Sequence, residues 1–258
     1  MIKKSLIFVL SLSCLSAFGN IQNVDTLVVS DKDNNFRIAN FIIPTALIAT
    51  GAILIHSDLD HNIQKRIHAN VSRRYRHDEW IKYAPMAAMY ALNFSGVQSR
   101  HNLRDQTIIL ANAALLTGIS VQSVKHITKI PRPRFCPDYG SIIPGTKTAF
   151  PSGHTALAFT GAHVLFKEYR DVSPWIGVAG YLSATIVGAL RMVNQRHWLS
   201  DVIAGAGFGI ICVEISYLML PLYHRLFGIN DGGNSINSAM IVPMVGANFY
   251  GLGVSLRF

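Results

Sequence analysis

Residues 191–201, Arg191-Met-Val-Asn-Gln-Arg-His197-Trp-Leu-Ser-Asp201, place an arginine, a histidine and an aspartate at fixed spacing. In a helix that starts near Trp198, Asp201 lies one turn beyond His197 and on the same face. A carboxylate in that position can hold one imidazole nitrogen and leave the other available to react. Arg191 adds a fixed positive charge with a forked set of donors. The stretch is typical of a site that acts on a phosphate, although a helix end with ordinary surface charges has a similar composition.

The rest of the chain is apolar and basic. Half of its residues are hydrophobic and 14% are charged, against roughly a quarter charged in a typical soluble domain. This composition indicates a membrane protein, or a helical protein with an unusually large core. The formal net charge of +9 favours an anionic partner, such as a phosphorylated lipid or a membrane surface. Nucleic acid is the weakest of these partners, because the apolar segments leave little room for a basic groove.

Apolar segments predict an all-α helical bundle of about six core helices, embedded in or associated with a membrane. The third, fifth and sixth approach the ~20 residues that a bilayer span needs, and the others are short enough to be tilted spans or buried helices. Between the first two, residues 64–76 are basic and predict either an interfacial helix or a solvated surface helix. The six segments are 41–55, 80–94, 106–124, 155–166, 174–190 and 202–223.

The N-terminal residues 1–19 predict a signal peptide. Lys3 and Lys4 precede an apolar run, and Ala17-Phe18-Gly19 fits a small-x-small cleavage site. An uncleaved anchor helix is the alternative. Residues 20–40 form a polar N-terminal segment before the first apolar one.

The C-terminal tail, residues 225–258, differs from the helical domain that we expect over residues 41–224. Two strand-like runs occur in it, around residues 239–243 and 248–258. We expect a short β-hairpin, because two strands cannot close a membrane barrel.

A second informative stretch, Pro151-Ser152-Gly153-His154, opens the fourth apolar segment. Proline is favoured in the first turn of a helix, and glycine lets an anion approach the backbone closely. The unpaired amides and the dipole at a helix start then bind a phosphate. His154 would lie at that anion site, where it could donate a proton to a leaving group.

A third stretch begins at Lys125, near the end of the third apolar segment, and continues to Arg132-Pro133 in the following loop. Basic residues beside a membrane are common for topological reasons, so this stretch alone is a weak signal. In chain order the three stretches read K-x6-R-P, P-S-G-H and R-x5-H-x3-D. This set resembles the type-2 phosphatidic acid phosphatase superfamily, which includes bacterial class A acid phosphatases and vanadium haloperoxidases. The resemblance covers about residues 80–224, with one departure at Leu190, where the family usually has serine.

The resemblance implies a role for each motif residue. His197 would be the nucleophile that forms a phosphohistidine intermediate, and Asp201 would orient it. His154 would protonate the leaving oxygen and later activate water. The phosphoryl oxygens would be held by Lys125, Arg132, Arg191, the Ser152 hydroxyl and the Gly153 amide. The family members generally use no metal and no other cofactor, vanadate in the haloperoxidases excepted, so none is expected in this chain.

The activity implied by the resemblance is hydrolysis of a phosphate monoester or diphosphate of an envelope lipid, with phosphatidic acid, undecaprenyl diphosphate and lipid A as candidate substrates. A broad-specificity periplasmic acid phosphatase is the main alternative. A haloperoxidase fits the apolar segments less well. A non-catalytic lipid-phosphate binder does not explain the intact His154, His197 and Asp201. The sequence leaves the oligomeric state open.

The number of membrane spans decides which side of the membrane carries the site. A leader followed by six spans would place the three motifs in the cytoplasm, whether or not the leader is cleaved. We expect instead that one early segment does not span, because the first contains Pro44 and the second contains Pro85. The site would then face the periplasm from the bacterial inner membrane. An inward-facing site and a periplasmic or outer-membrane-associated enzyme are the alternatives.

Several other polar residues have weaker assignments. Glu214 lies thirteen residues beyond Asp201, roughly 20 Å along a helix, so we expect it to make a structural hydrogen bond, with His163 as the partner. Arg196 and Trp198 flank His197 and could contact substrate or pack. A group before the third segment is expected on the side of the site, where it could admit substrate or form a solvated loop. This group consists of Asn93, Gln98, Arg100 and Arg104.

Overall fold

The computed structural model describes residues 37–55, 57–71, 77–136 and 148–229, and the backbone of two strands over residues 238–246 and 249–257. The predicted signal peptide lies outside the described residues. The prediction of an all-α helical bundle is confirmed, because helices account for most of the described chain.

Except for α2, which is polar and lies between the first two predicted segments, the helices follow the predicted apolar segments. They extend past most of them, because polar capping residues and motif residues continue the helical backbone. They are α1 (Ala39–Leu54), α2 (Asp58–Asn70), α3 (Asp78–Ile81), α4 (Ala84–Phe94), α5 (Leu103–Thr128), α6 (Gly153–Tyr169), α7 (Pro174–Val193) and α8 (Leu199–Leu226). A short 3-10 turn, Pro133–Phe135, lies between α5 and α6.

Helix α8 is the central helix of the bundle and packs against α1, α5 and α6. Its glycines allow this close packing. A Cβ atom on Gly205 would lie 2.7 Å from the carbonyl oxygen of Ser152, and one on Gly209 would lie 2.3 Å from that of Ala156. A Cβ atom on Gly207 would lie 2.6 Å from the carbonyl oxygen of Pro44 in α1. Backbone therefore packs directly against backbone on two sides of α8, as small residues permit in membrane helices.

The helices from α4 to α8 alternate in direction along the chain, so α6 and α8, which pack side by side, are parallel. Helix α1 is antiparallel to α8, since Gly51 lies against Ser200 while Asn40 Nδ2 donates to Glu214 Oε2 at 3.2 Å. The carboxyl ends of α1, α5 and α7 therefore meet the amino ends of α4, α6 and α8. We call this the motif end of the bundle, because the three sequence motifs lie there.

Capping side chains and turn residues fix the ends of several helices. The side chain of Asn102 accepts the N–H of Asp105 at 2.9 Å and starts α5. Lys129, with φ of 50°, takes the left-handed conformation that ends the same helix. Pro174 occupies the first turn of α7. Local capping and turn residues thus account for both ends of α5 and for the start of α7.

Three helices of the described chain, α5, α7 and α8, are long and apolar enough to cross a membrane, as the sequence predicts. The pair α1 and α2 would add a fourth if its 82° bend belongs to one broken span. Helix α4 has 11 residues, or about 17 Å, which is short of a hydrocarbon layer of ~30 Å. A turn separates α3 from α4 just before Pro85, so the second apolar segment is interrupted as predicted.

The backbone of the C-terminal tail forms the predicted antiparallel β-hairpin. Strand β1 (Ser238–Gly246) pairs with strand β2 (Phe249–Arg257), with Ser238 opposite Arg257 and Gly246 opposite Phe249. The first strand is longer than the sequence predicts, because backbone pairing continues past the residues with clear strand propensity.

The close packing of α6 on α8 is testable at Gly209. In the Gly209→Ala variant the new methyl group would collide with backbone atoms of Ala156 and Thr160, so we expect a loss of about 1–3 kcal/mol in the free energy of unfolding. Thermal unfolding of the purified protein in detergent measures this loss. Gly118→Ala in α5 is the control, because nothing lies within 4 Å of its added Cβ atom and alanine favours a helix. A Gly209→Ala protein as stable as wild type would contradict the packing.

Candidate active site

His197 and Asp201 form a buried pair at the start of α8. The Nδ1 atom of His197 lies 3.2 Å from Oδ2 of Asp201, and the two side chains are 2% and 0% exposed. The same Oδ2 accepts the backbone N–H of Trp198 at 2.8 Å. Asp201 therefore caps its own helix and holds the imidazole with one oxygen. When Nδ1–H donates to the carboxylate, the lone pair of the neutral ring is on Nε2.

Ser152, Gly153 and His154 start α6 beside this pair. The N–H of Ser152 donates to the backbone oxygen of Asp201 at 3.0 Å, which joins the first turns of α6 and α8. Ser152 is buried, and its hydroxyl lies 2.9 Å from Oγ1 of Thr155. Gly153 and His154 are partly exposed. The amide of Gly153 is thus better placed to meet a ligand than the Ser152 hydroxyl, which already has a protein partner.

Lys125 and Arg132 bind the segment that leads into Ser152. Lys125 Nζ donates to the carbonyl oxygen of Ala149 at 2.8 Å, and Arg132 Nε donates to that of Thr148 at 3.4 Å. The N–H of Ala149 also donates to the carbonyl oxygen of Ile130 at 2.7 Å. These contacts fix both cations relative to the start of α6.

Arg191 is buried near the end of α7 and is held by a carboxylate from α3. Its Nη1 atom donates to Oδ2 of Asp78 at 2.5 Å, and Nδ2 of Asn194 donates to Oδ1 of the same carboxylate at 3.2 Å. Asp78 is fully buried, so it fixes the guanidinium and offsets part of its charge. Within the described residues Arg191 Nε has no hydrogen-bond partner, which leaves a donor for an anionic ligand.

Glu79, the next residue of α3, lies against His154. Its Oε2 atom is 3.0 Å from Nε2 of His154, and its Oε1 atom accepts from Arg196 Nη1 at 2.7 Å. Arg191 Nη1 is 3.7 Å from the same Oε1 atom, and Lys82 Nζ is 3.8 Å from Oε2. Four groups that carry or can carry positive charge therefore surround this one carboxylate.

Helix α2 supports the site from outside. Asp60 is buried and accepts both the N–H and the hydroxyl of Ser200, at 3.1 and 2.6 Å. Gln64 Nε2 donates to the carbonyl oxygen of Met192 at 3.1 Å. The basic stretch that begins at residue 64 thus contributes one fully buried side chain, and α2 braces the ends of both α7 and α8.

Burial and charge set the protonation of the groups outside the spanning helices. Burial lowers the pKa of His197 well below its usual value, and the charges of Lys125, Arg191 and Arg132 lower it further. The imidazole therefore stays neutral at neutral pH. Hydrogen bonds from His154 and Arg196 lower the pKa of Glu79 to about 2, so its carboxylate is ionised at every working pH.

The motif end thus combines a neutral imidazole backed by a carboxylate, a second histidine and several fixed cations. These groups are suited to nucleophilic attack on a phosphate, since cations and helix amides can stabilise the charge that develops on the phosphoryl oxygens. Within the part of the chain that the structure describes, no three histidine, cysteine or acidic side chains are arranged to hold a metal ion.

The helical bundle that carries this site matches a known protein family. Residues 106–225 match the family model described as the PAP2 superfamily. The match includes all eight predicted site residues. The family resemblance expected from the three motifs is thereby confirmed.

Two curated proteins and one solved structure are similar to this chain. A Porphyromonas gingivalis protein named lipid A 1-phosphatase is 32% identical over 184 residues, which cover 70% of this chain and 39% of the relative. Lipid phosphate phosphatase 1 of Arabidopsis thaliana is 29% identical over 147 residues, 45% of each chain. The chain spans less than half the length of these curated relatives. The crystal structure of Aquifex aeolicus LpxE is 28% identical with a TM-score of 0.47, covering 62% of this chain and 96% of that chain.

All eight residues predicted for the site lie at the motif end. The sequence analysis did not predict the acidic residues beside them, Asp60, Asp78 and Glu79, which we call the acidic wall. Asp78 and Glu79 directly precede an apolar segment, and no spacing rule relates them to Arg191 or His154. Asp60 was missed for the same reason, since its partner Ser200 is distant in sequence. Of the two residues that flank His197, Trp198 packs, with its Nε1 atom donating to the carbonyl oxygen of Pro131 at 2.9 Å.

Two assignments outside the motifs have opposite outcomes. The expected bond between Glu214 and His163 is confirmed, with His163 Nε2 2.7 Å from Oε1. The expectation that residues 93–104 lie on the side of the site is wrong. They lie at or before the first turn of α5, so Arg104 is about 31 Å along the helix from Lys125. The N–H of Arg100 donates to the backbone oxygen of Glu168 near the far end of α6.

The neutral state of His197 is testable by NMR titration of histidine-labelled protein. We expect its pKa to lie below the usual 6.5, and Arg132→Gln to raise it, because removing a nearby positive charge makes protonation easier. Arg170→Gln is the matched control, since Arg170 ends α6 at the opposite end of the bundle and pairs with Asp171. A pKa of His197 at or above 6.5, or one insensitive to Arg132→Gln, would contradict the electrostatics described above.

Proposed function

We propose that this protein hydrolyses a phosphate monoester or diphosphate of an envelope lipid through a phosphohistidine intermediate. The observation that carries the proposal is the buried pair of His197 and Asp201, which leaves the reactive Nε2 atom of a neutral imidazole among three fixed cations. The names of the relatives, lipid A 1-phosphatase and lipid phosphate phosphatase, support the same class of reaction and substrate.

In the proposed mechanism, the lone pair on His197 Nε2 attacks phosphorus while the bond from phosphorus to the leaving oxygen breaks. Asp201 stabilises the positive charge that the ring gains, and His154 gives a proton to the leaving oxygen. Water then attacks the phosphohistidine and passes its proton to His154, which regenerates both histidines and releases inorganic phosphate. Lys125, Arg132 and Arg191 stabilise the phosphoryl charge in both steps.

A lipid substrate is favoured by the surface next to the site. Helices α5 and α7 expose apolar side chains that share one face of each helix, including Leu115 and Ile119 on α5 and Val178 and Leu182 on α7, each more than 50% exposed. Such bands suit contact with lipid tails. Because the site lies where these helices end, a lipid with its tails beside them would present its phosphate at the motif end.

A broad-specificity acid phosphatase of the periplasm is the second candidate function. It has the same motif chemistry but needs no apolar face on α5 and α7, so it predicts activity on small esters in the absence of detergent. The exposed apolar bands favour the lipid phosphatase.

The substrate class is tested by phosphate release from purified protein, with phosphatidic acid, undecaprenyl diphosphate and lipid A compared in the same detergent. We expect turnover of at least one lipid in clear preference to a small aryl phosphate.

His197→Ala should abolish phosphate release, while phosphate-analogue affinity stays within about an order of magnitude, because the cations remain. His126→Ala replaces an exposed histidine beside the first motif and should keep activity. Turnover by His197→Ala would refute the proposed nucleophile.

We further propose that the protein lies in the bacterial inner membrane with the site facing the periplasm, which requires that one of the two early apolar helices does not cross the membrane. Helix α4, with 11 residues, is the one that is too short to span, whereas α1 and α2 together can form one broken span. A reporter fused between Lys129 and Pro151 should then be active only in the periplasm, whereas one fused after Tyr169, near the opposite end of α6, serves as a control for the other face. A cytoplasmic signal from the first fusion would refute the orientation and leave the proposed reaction intact.

A further inference from the structure

The carboxylate of Glu79 occupies an anion-binding position that the three motifs do not explain. Of the four groups around it, His154 and Arg191 belong to motifs, whereas Lys82 and Arg196 do not. The Glu79 side chain is 38% exposed and the Arg196 side chain is 30% exposed. The position therefore lies at the rim of the site, where a ligand can reach it.

Glu79 differs in this respect from its neighbour Asp78. Asp78 is fully buried and fixes Arg191, so moving it would leave a buried charge without a partner. Glu79 is partly solvated, so water can hydrate its carboxylate when the side chain turns outward. An incoming anion would then take its place beside His154, Lys82 and Arg196.

We propose that Lys82, His154 and Arg196 form a second anion subsite on the leaving-group side of the reaction. Glu79 fills this subsite in the absence of substrate. The ligand of the subsite is the inner phosphate of a lipid diphosphate. This inference rests on the proposed function, because it assigns the leaving-group side by the role of His154. It selects the diphosphate from the two substrate classes that the proposed function allows.

The two oxygens of Glu79 indicate why a diphosphate fits better than a monoester. Oε2, at 3.0 Å from His154 Nε2, marks where a leaving oxygen would accept a proton. Oε1, at 2.7 Å from Arg196 Nη1, marks the position of an atom two bonds beyond the leaving oxygen. In a diphosphate that atom is an oxygen of the inner phosphate. In a monoester the leaving oxygen is bound to carbon, so Arg196 and Lys82 would face an uncharged group instead of an anionic oxygen.

The corresponding reaction transfers the outer phosphoryl group. The lone pair on His197 Nε2 forms a bond to the outer phosphorus, and the bond from this phosphorus to the bridging oxygen breaks. The electron pair stays on the bridging oxygen, which takes a proton from His154 and leaves as part of the lipid monophosphate. Arg196 and Lys82 stabilise that anionic leaving group. Water then releases inorganic phosphate from His197 and returns a proton to His154.

The test compares farnesyl diphosphate with farnesyl phosphate in the same detergent micelles and uses the ratio of their kcat/KM values. This ratio does not depend on the fraction of folded protein, so a poorly folding variant remains informative. We expect Arg196→Gln and Lys82→Gln each to lower the ratio by about tenfold, the effect of losing one charge-assisted contact to the inner phosphate. Glu79→Gln should raise the ratio severalfold through a lower KM for the diphosphate, because the competing carboxylate loses its charge.

Arg170→Gln provides the control, since it removes an arginine near the opposite end of the bundle and should leave the ratio unchanged. Equal losses on both substrates in Arg196→Gln and Lys82→Gln would overturn the subsite, as would a Glu79→Gln variant whose KM for the diphosphate does not fall. Failure of the wild-type protein to release phosphate from any ester would overturn the proposed function itself, which is a different result from lost selectivity.

Discussion

The site depends on one carboxylate oxygen, Oδ2 of Asp201, which accepts the backbone N–H of Trp198 and lies 3.2 Å from the imidazole of His197. The same residue caps the start of helix α8 and orients the histidine. The contact that stabilises the helix end therefore also sets the geometry of the site. The backbone oxygen of Asp201 also accepts the N–H of Ser152. The amino ends of α6 and α8 are therefore joined at the point where the reacting phosphate would bind.

Close helix packing makes this arrangement possible. The glycines of α8 allow the backbones of α1 and α6 to approach, which brings the ends of several helices to one place. Those ends supply Lys125, His154 and Arg191, and helices α2 and α3 brace them with Asp60 and Asp78. The cations would repel one another in an open bundle, so the buried carboxylates are needed to hold them together before an anionic ligand arrives. The site is thus a property of the packed bundle rather than of any single motif.

Much of this could be predicted from the sequence, and the reason is physical. The motif residues lie at helix starts and ends, so their spacing sets their direction, as for His197 and Asp201. Helix length likewise predicts that Glu214 is remote from the site. The acidic wall could not be predicted, because Glu79 reaches His154 through the packing of α3 on the bundle. The wrong placement of residues 93–104 has the same origin, since local sequence does not specify which end of the bundle a short helix such as α4 approaches.

In the proposed mechanism, His197 carries the phosphoryl group during turnover. Phosphohistidine survives in alkali, so the direct measurement is a rapid alkaline quench of the protein during lipid phosphate hydrolysis, followed by mass spectrometry of its peptides. We predict phosphate on His197, absent when substrate is omitted and absent in His197→Ala. Turnover without any phosphorylated histidine, or with the phosphate on another residue, would contradict this mechanism.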